Sequence, residues 1–170
     1  IAYFNGGQIA ITKAFGHVSN LEKEVNPGVN SFLGIAHTRW ATNGAPSLKN
    51  AHPHRVGKIT LVHNGIIENA DEIKSRANYS FQSDTDSEVA AFVINKLYEE
   101  THDMVQALTL CNKELEGSYA FAILNEDEPT KLYALKKSSP LIIGVGEHEN
   151  FVASDIPAII SYTRKYIILE

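Results

Sequence analysis

Three short segments gather the polar chemistry of this chain: Arg39-Trp-Ala-Thr-Asn-Gly44, Ala51-His-Pro-His54 and Leu61-Val-His-Asn-Gly-Ile-Ile-Glu-Asn69. Each lies where an apolar stretch gives out and the chain must turn. Arg39 offers a planar guanidinium fork that grips a carboxylate through two hydrogen bonds, a geometry lysine lacks. Asn64-Gly65 admits two readings. As a dipeptide it is the strongest short signal for a type I′ hairpin turn. As chemistry it is a pair of donors, a side-chain NH₂ and a backbone N–H, suited to an oxyanion, with glycine permitting close approach of backbone to ligand. His52-Pro53-His54 invites a metal reading. No cysteine or carboxylate cluster completes a zinc site around the pair. No metal or cofactor is therefore expected. The one cysteine, Cys111, falls on an apolar helical stripe, where cysteine behaves as a small hydrophobe.

The elements that must position these residues follow from periodicity. Residues 8–15 alternate as a strand, and Asn5-Gly6-Gly7 before them reads as a hairpin turn, which makes residues 1–4 the partner strand. Residues 17–32 are polar, a loop or short helix followed by a turn at Asn26-Pro27-Gly28. Residues 33–38 and 58–63 are short apolar strands, each running into one of the polar clusters. Three helices are predicted, near 69–77, 86–100 and 102–115. The second opens on Thr85-Asp-Ser-Glu88, the spacing of a capping box, and its Val89, Phe92, Val93 and Leu97 recur at helical intervals. The third carries Met104, Leu108, Cys111 and Leu115 on one stripe, with Gly117 expected to end it. After that the period becomes that of strands, at 118–124, 131–136, 141–145, 151–153 and 165–169. The first of these is apolar on both faces and needs cover on both sides. Strands, helices and strands again predict an α+β fold with stacked sheets.

Composition narrows the class. With 170 residues the chain is most simply one domain, and 15 Lys+Arg against 20 Asp+Glu give a formal charge of −5 with no basic block. Nucleic acid binding needs a concentrated positive surface, so it is not expected. No apolar run reaches the roughly 20 residues that span a bilayer. One cysteine allows no internal disulfide and fits a cytoplasmic protein.

Taken together, and joined by Ser83-Asp-Thr-Asp-Ser-Glu-Val89, Gly117-Ser-Tyr-Ala120, Ser139-Pro-Leu-Ile-Ile-Gly-Val-Gly146 and Phe151-Val-Ala-Ser-Asp155, the segments resemble the glutaminase domain of glucosamine-6-phosphate synthases. Those are class II glutamine amidotransferases of the N-terminal-nucleophile (Ntn) hydrolase type. The resemblance spans nearly the whole chain and implies a four-layer αββα sandwich of two stacked antiparallel sheets, one glutamine amidotransferase domain over residues 1–170. It implies L-glutamine as substrate, hydrolysed to glutamate and ammonia for glucosamine-6-phosphate synthesis. On the family pattern Arg39, Thr42 and His52 meet the substrate carboxylate, Asp86 meets the ammonium, and Asn64 with Gly65 forms the oxyanion hole. Trp40 falls in a loop that closes over glutamine and gates an ammonia channel, while Asn43 stands where histidine is usual. Read without the family, Asp86 is a helix-entry residue beside the cap and Trp40 a core or rim aromatic. The partners implied are a sugar-phosphate isomerase domain of the same full-length chain and a second copy in a homodimer.

In this family a mature N-terminal cysteine attacks the amide and its own α-amine serves as base. Ile1 opens this sequence and Cys111 is internal. The expectation is an N-terminally truncated domain that keeps weak glutamine binding and does not turn glutamine over. Two other readings stand beside it. One is the glutaminase domain of another class II enzyme such as amidophosphoribosyltransferase, whose loop more often reads Arg-Tyr-Ser-Thr. The other is a non-catalytic glutamine-binding module. Trp40-Ala41 and Ala51-His-Pro-His54 favour the synthase.

Overall fold

A computed structural model of the chain describes residues 1–40 and 44–169. Thr42 and Asn43, singled out by sequence, lie outside the described residues. The chain opens with a hairpin of β1 (Ala2–Asn5) and β2 (Gln8–Ile11), whose two-residue loop places Gly6 and Gly7 at φ 59° and 87°. Both values suit the primed turn that the sequence suggests. β3 (Gly34–Ile35) pairs antiparallel with β1, giving the order β2-β1-β3. Only two residues of the expected strand 33–38 are in the ladder, so the chain is released early and His37 to Trp40 reach the site as irregular backbone. Between the hairpin and β3 lies α1 (Val18–Glu24), which buries none of its residues.

The centre of the molecule is the four-stranded sheet β4 (His54–Val56), β5 (Ile59–Ile67), β6 (Gly117–Asn125) and β7 (Leu132–Lys137), antiparallel throughout and in that order. β5 and β6 pair without interruption from Ile59↔Asn125 to Ile67↔Gly117. Alternation sends Ile59, Leu61, Phe121 and Ile123 to one face, where they join Val89, Val93, Ala107 and Cys111 in the larger core. Val62 and Leu124 go to the other face, against Ala2, Phe4 and Ile35 of the hairpin sheet. Each such fully buried Leu, Ile or Phe contributes roughly 1.5–3 kcal/mol of transfer free energy.

The helical layer holds α2 (Ala70–Arg76), α3 (Asp86–Thr101) and α4 (Met104–Glu114), each within two residues of its expected ends. Thr85 caps α3 by accepting from the Glu88 N–H. The reciprocal half of the capping box does not form. Glu88 instead turns to the preceding loop, accepting from the backbone N–H of Gln82 and Ser83 and from the Ser83 hydroxyl, the last two at 2.6 Å. Gly117 does not cap α4 either: Leu115 takes the C-cap, and Gly117 begins β6 at φ 117°.

A third sheet, β10-β8-β9, is built from β8 (Ile142–Val145), β9 (Asn150–Ala153) and β10 (Tyr166–Ile168), again antiparallel. The structure is thus the expected α+β arrangement of antiparallel sheets with helices packed on one outer face. The layer over the central sheet is divided into two three-stranded sheets. A cavity of about 490 Å³ separates them, walled by Gly34 and Ile35 on one side and Phe151 and Val152 on the other, with Val62 and Ala120 beneath. Among the described residues no helix is long and apolar enough to cross a membrane.

Candidate active site

Four segments converge on a cavity of about 190 Å³: His37 to Trp40 after β3, His52 before β4, His63 to Gly65 on β5, and Thr85 to Ser87 at the start of α3. Arg39, Trp40, His52, Asn64, Gly65 and Asp86, separated by up to 47 positions in sequence, therefore share one lining.

β5 explains why Asn64 and Gly65 stand where they do. The turn reading of this dipeptide does not hold, because the strand continues through it to Ile67. Gly65 has φ 123°, and a Cβ there would run into the Ser118 carbonyl oxygen of β6. Only glycine keeps the two strands paired at that point. His63 is buried, whereas Asn64 and Gly65 are exposed to the cavity.

The start of α3 is tied to this strand by Asp86. Its Oδ2 accepts from the Ile67 N–H at 2.9 Å, while Oδ1 lies 3.9 Å from His63 Nδ1. One oxygen is thus committed to backbone and the other lies 3.5 Å from the Ser87 hydroxyl, so Asp86 is at once a helix-entry residue and part of the cavity lining. Ser87 Oγ is 2.9 Å from His63 Nδ1 and 3.5 Å from His52 Nε2, the second at the edge of a useful bond. His54 Nε2 meets Thr85 Oγ1 at 3.2 Å and His37 Nε2 meets Asn64 Oδ1 at 2.8 Å. Arg39 reaches the Gly44 carbonyl at 3.0 Å through Nη2. Trp40, 90% exposed, stands at the rim and does not join the core.

Four imidazoles crowd together here, with ring centroids 4.1 Å apart for His37–His52 and 4.9 Å for His52–His54. Burial, reinforced by His37 and His54, pushes His52 far below the usual imidazole range. Burial and the Lys13 charge lower His54 to about 4. Burial also lowers His37, and it lowers His63 despite the attraction of Asp86. At neutral pH the rings are uncharged, so His63 and Asp86 do not form an ion pair. Arg39 and Asp86 are the charged side chains of the lining.

Among the described residues no three His, Cys, Asp or Glu side chains converge on a point that a metal would occupy. Cys111 is fully buried in the helical core, and burial, then Glu114, drives its thiol pKa up. It takes no part in the cavity lining.

Sequence reasoning gave no role to His37, His63 or Ser87. His37 and His63 end apolar segments, the one signal that could have pointed to them; His63 is buried and His37 half-buried. Ser87 had no such signal, since serine two residues past a cap is ordinary helix sequence.

Residues 38–161 match the family model described as "Glutamine amidotransferase domain". Among curated relatives, the chain is 44% identical to the glutamine–fructose-6-phosphate aminotransferase (isomerizing) of Methanosarcina mazei, over 97% of this chain and 29% of that protein. It is 46% identical to the enzyme of the same name from Fusobacterium nucleatum, over 100% of this chain and 29% of that one. The chain thus spans under a third of the length of these relatives. Among solved structures, the glutamine phosphoribosylpyrophosphate amidotransferase of B. subtilis superposes with a TM-score of 0.65 at 27% identity, over 79% of this chain and 30% of that one.

Proposed function

We propose that this chain, which belongs to the glutamine amidotransferase domain family, binds L-glutamine in the histidine-lined cavity and supplies the oxyanion donors with which a full-length class II amidotransferase frees the amide nitrogen as ammonia. The observation that carries this is the meeting of Arg39, Asp86 and the Asn64-Gly65 pair around one cavity of about 190 Å³. An α-amino acid needs a cation for its carboxylate and an anion for its ammonium. Arg39 and the Oδ1 atom of Asp86 supply them, with His52 beside the carboxylate, and the family pattern adds the Thr42 hydroxyl. The side-chain amide then lies toward Asn64 and Gly65, whose N–H groups receive the charge that gathers on oxygen when a thiolate adds to the carbon. The proton that the cysteine's own α-amine took from the thiol passes to the nitrogen, collapse of the adduct expels ammonia and leaves a thioester, and water hydrolyses that to glutamate and the free thiol. Removing one oxyanion donor costs about 3–4 kcal/mol of barrier. The thiol is that of an N-terminal cysteine, as the family pattern requires; Cys111, buried and remote from the lining, is not it.

The relatives at 44% and 46% identity support a finer reading. The chain is the glutamine amidotransferase domain of a cytoplasmic glutamine–fructose-6-phosphate aminotransferase. Ammonia passes to a sugar-phosphate isomerase domain of the same full-length chain, within a homodimer. The lower identity of the phosphoribosylpyrophosphate amidotransferase, 27%, weighs against that alternative.

Titrating L-glutamine into the chain while following heat or the amide signals of residues 63–67 and 85–87 tests the binding step. Saturable binding is expected, weakened at least about tenfold, or 1.4 kcal/mol, by Arg39→Ala. Equal affinity in the variant would remove Arg39 from the carboxylate role.

A further inference from the structure

A carboxamide has a donor end and an acceptor end of the same shape, and only the donor end steadies an oxyanion. Something must decide which end of Asn64 faces the cavity. We propose that His37 is the positioning residue that decides it: its Nε2–H donates to Asn64 Oδ1 and leaves the NH₂ group turned to the site.

The geometry is specific. Nε2 and Oδ1 are 2.8 Å apart, and the His37 ring is held against the His52 ring at a centroid distance of 4.1 Å. His37 also lines all three cavities that meet at this point, the small one and its two larger neighbours. Its Nδ1 is buried and makes no hydrogen bond of good geometry among the described residues. A neutral ring with its one hydrogen on Nε2 leaves only a lone pair there, which is tolerated better than a stranded N–H. The opposite amide orientation would set NH₂ against Nε2–H, donor against donor. Relieving that clash would move the ring hydrogen to the buried Nδ1. Burial, helped by the Arg39 charge and opposed by the Asn64 bond and a weaker pull from the His63 backbone, favours the neutral ring.

This inference rests on the oxyanion role proposed for Asn64, and a double-mutant cycle separates the two. The cycle is run on glutamine hydrolysis by the complete enzyme that carries this domain. His37→Phe keeps a flat ring and removes the donor; it is expected to lower kcat roughly 10- to 100-fold with KM for glutamine little changed. His37→Gln, whose Nε2 can donate from nearly the same place, should recover most of that loss. In an Asn64→Ala background, His37→Phe should change kcat less than about twofold, because the group it positions is gone. Multiplicative losses in the double variant, or equal losses in the Phe and Gln variants, would overturn the positioning role while leaving Asn64 in place. If Asn64→Ala alone left kcat unchanged, the oxyanion reading and this inference would fall together.

Discussion

Gly65 is the position at which backbone geometry and chemistry constrain each other most tightly. Its φ of 123° and the closeness of the Ser118 carbonyl exclude any side chain. Gly65→Ala is expected to destabilise the fold by at least roughly 2 kcal/mol through backbone strain and displacement of β6. Thermal unfolding checks this, and an unshifted Tm would refute it. The neighbouring residues divide by how far their chemistry shows in sequence. Arg39 stands out alone because a guanidinium fork suits a carboxylate, whereas Asn64-Gly65 reads as a turn by itself and joins the cavity lining only in the context of the surrounding segment. His37 and Ser87 are not legible, because their parts are fixed by contacts 27 and 24 positions away, to Asn64 and His63.

Among the elements, the entry to α3 shows why local pattern reading succeeds in part. The Thr85–Glu88 spacing locates the helix start correctly, since a hydroxyl can reach the N3 amide whatever lies around it. Glu88 departs from the pattern because the loop before the helix offers it two backbone amides and a hydroxyl in place of the single Thr85 N–H. Glu88→Ala would strand the Gln82 and Ser83 amides and is expected to cost about 3 kcal/mol. Because that loop leads straight into Asp86 and Ser87, glutamine affinity should fall as well. Asp103→Ala removes the cap of α4, which accepts from Val105 and Gln106 at 2.8 and 3.1 Å. It should cost about 1 kcal/mol and leave glutamine affinity unchanged. Denaturant midpoints and glutamine titration of the two variants make the comparison; the same loss of affinity in both would deny the loop its role.

Across the whole molecule the buried histidines set the response to acid. An unfolded histidine takes a proton near pH 6.5, while folded His54 resists protonation until about 4. Above pH 6.5 both states are neutral and nothing is lost. As pH falls from 6.5 toward 4 the unfolded state alone gains the proton, so stability declines through that window and this loss levels off below it. One such group accounts for on the order of 3 kcal/mol over its full range. His37, His52 and His63 are shifted in the same direction. Unfolding free energy measured from pH 7 to 4.5 should therefore fall steeply, and less so in His54→Gln; a flat profile would contradict buried neutral rings. The stacked antiparallel design is legible because the residue 118–124 strand is apolar on both faces. The division of the upper layer is not, since where one sheet stops and the next starts depends on which edges meet in space.

That division has a consequence for how the molecule comes apart. Neither of the two hydrophobic cores includes a residue of β8, β9 or β10. The buried apolar residues in and beside this sheet are Leu141, Ile142 and Ile159, and the Lys136 ammonium ties it to β7 by its bond to the Leu169 carbonyl. β5 and β6 can open only when both cores open, whereas β8–β10 can detach while those cores stay closed. Local unfolding free energy is then unevenly distributed, with the C-terminal sheet a separate cooperative unit on a more durable base.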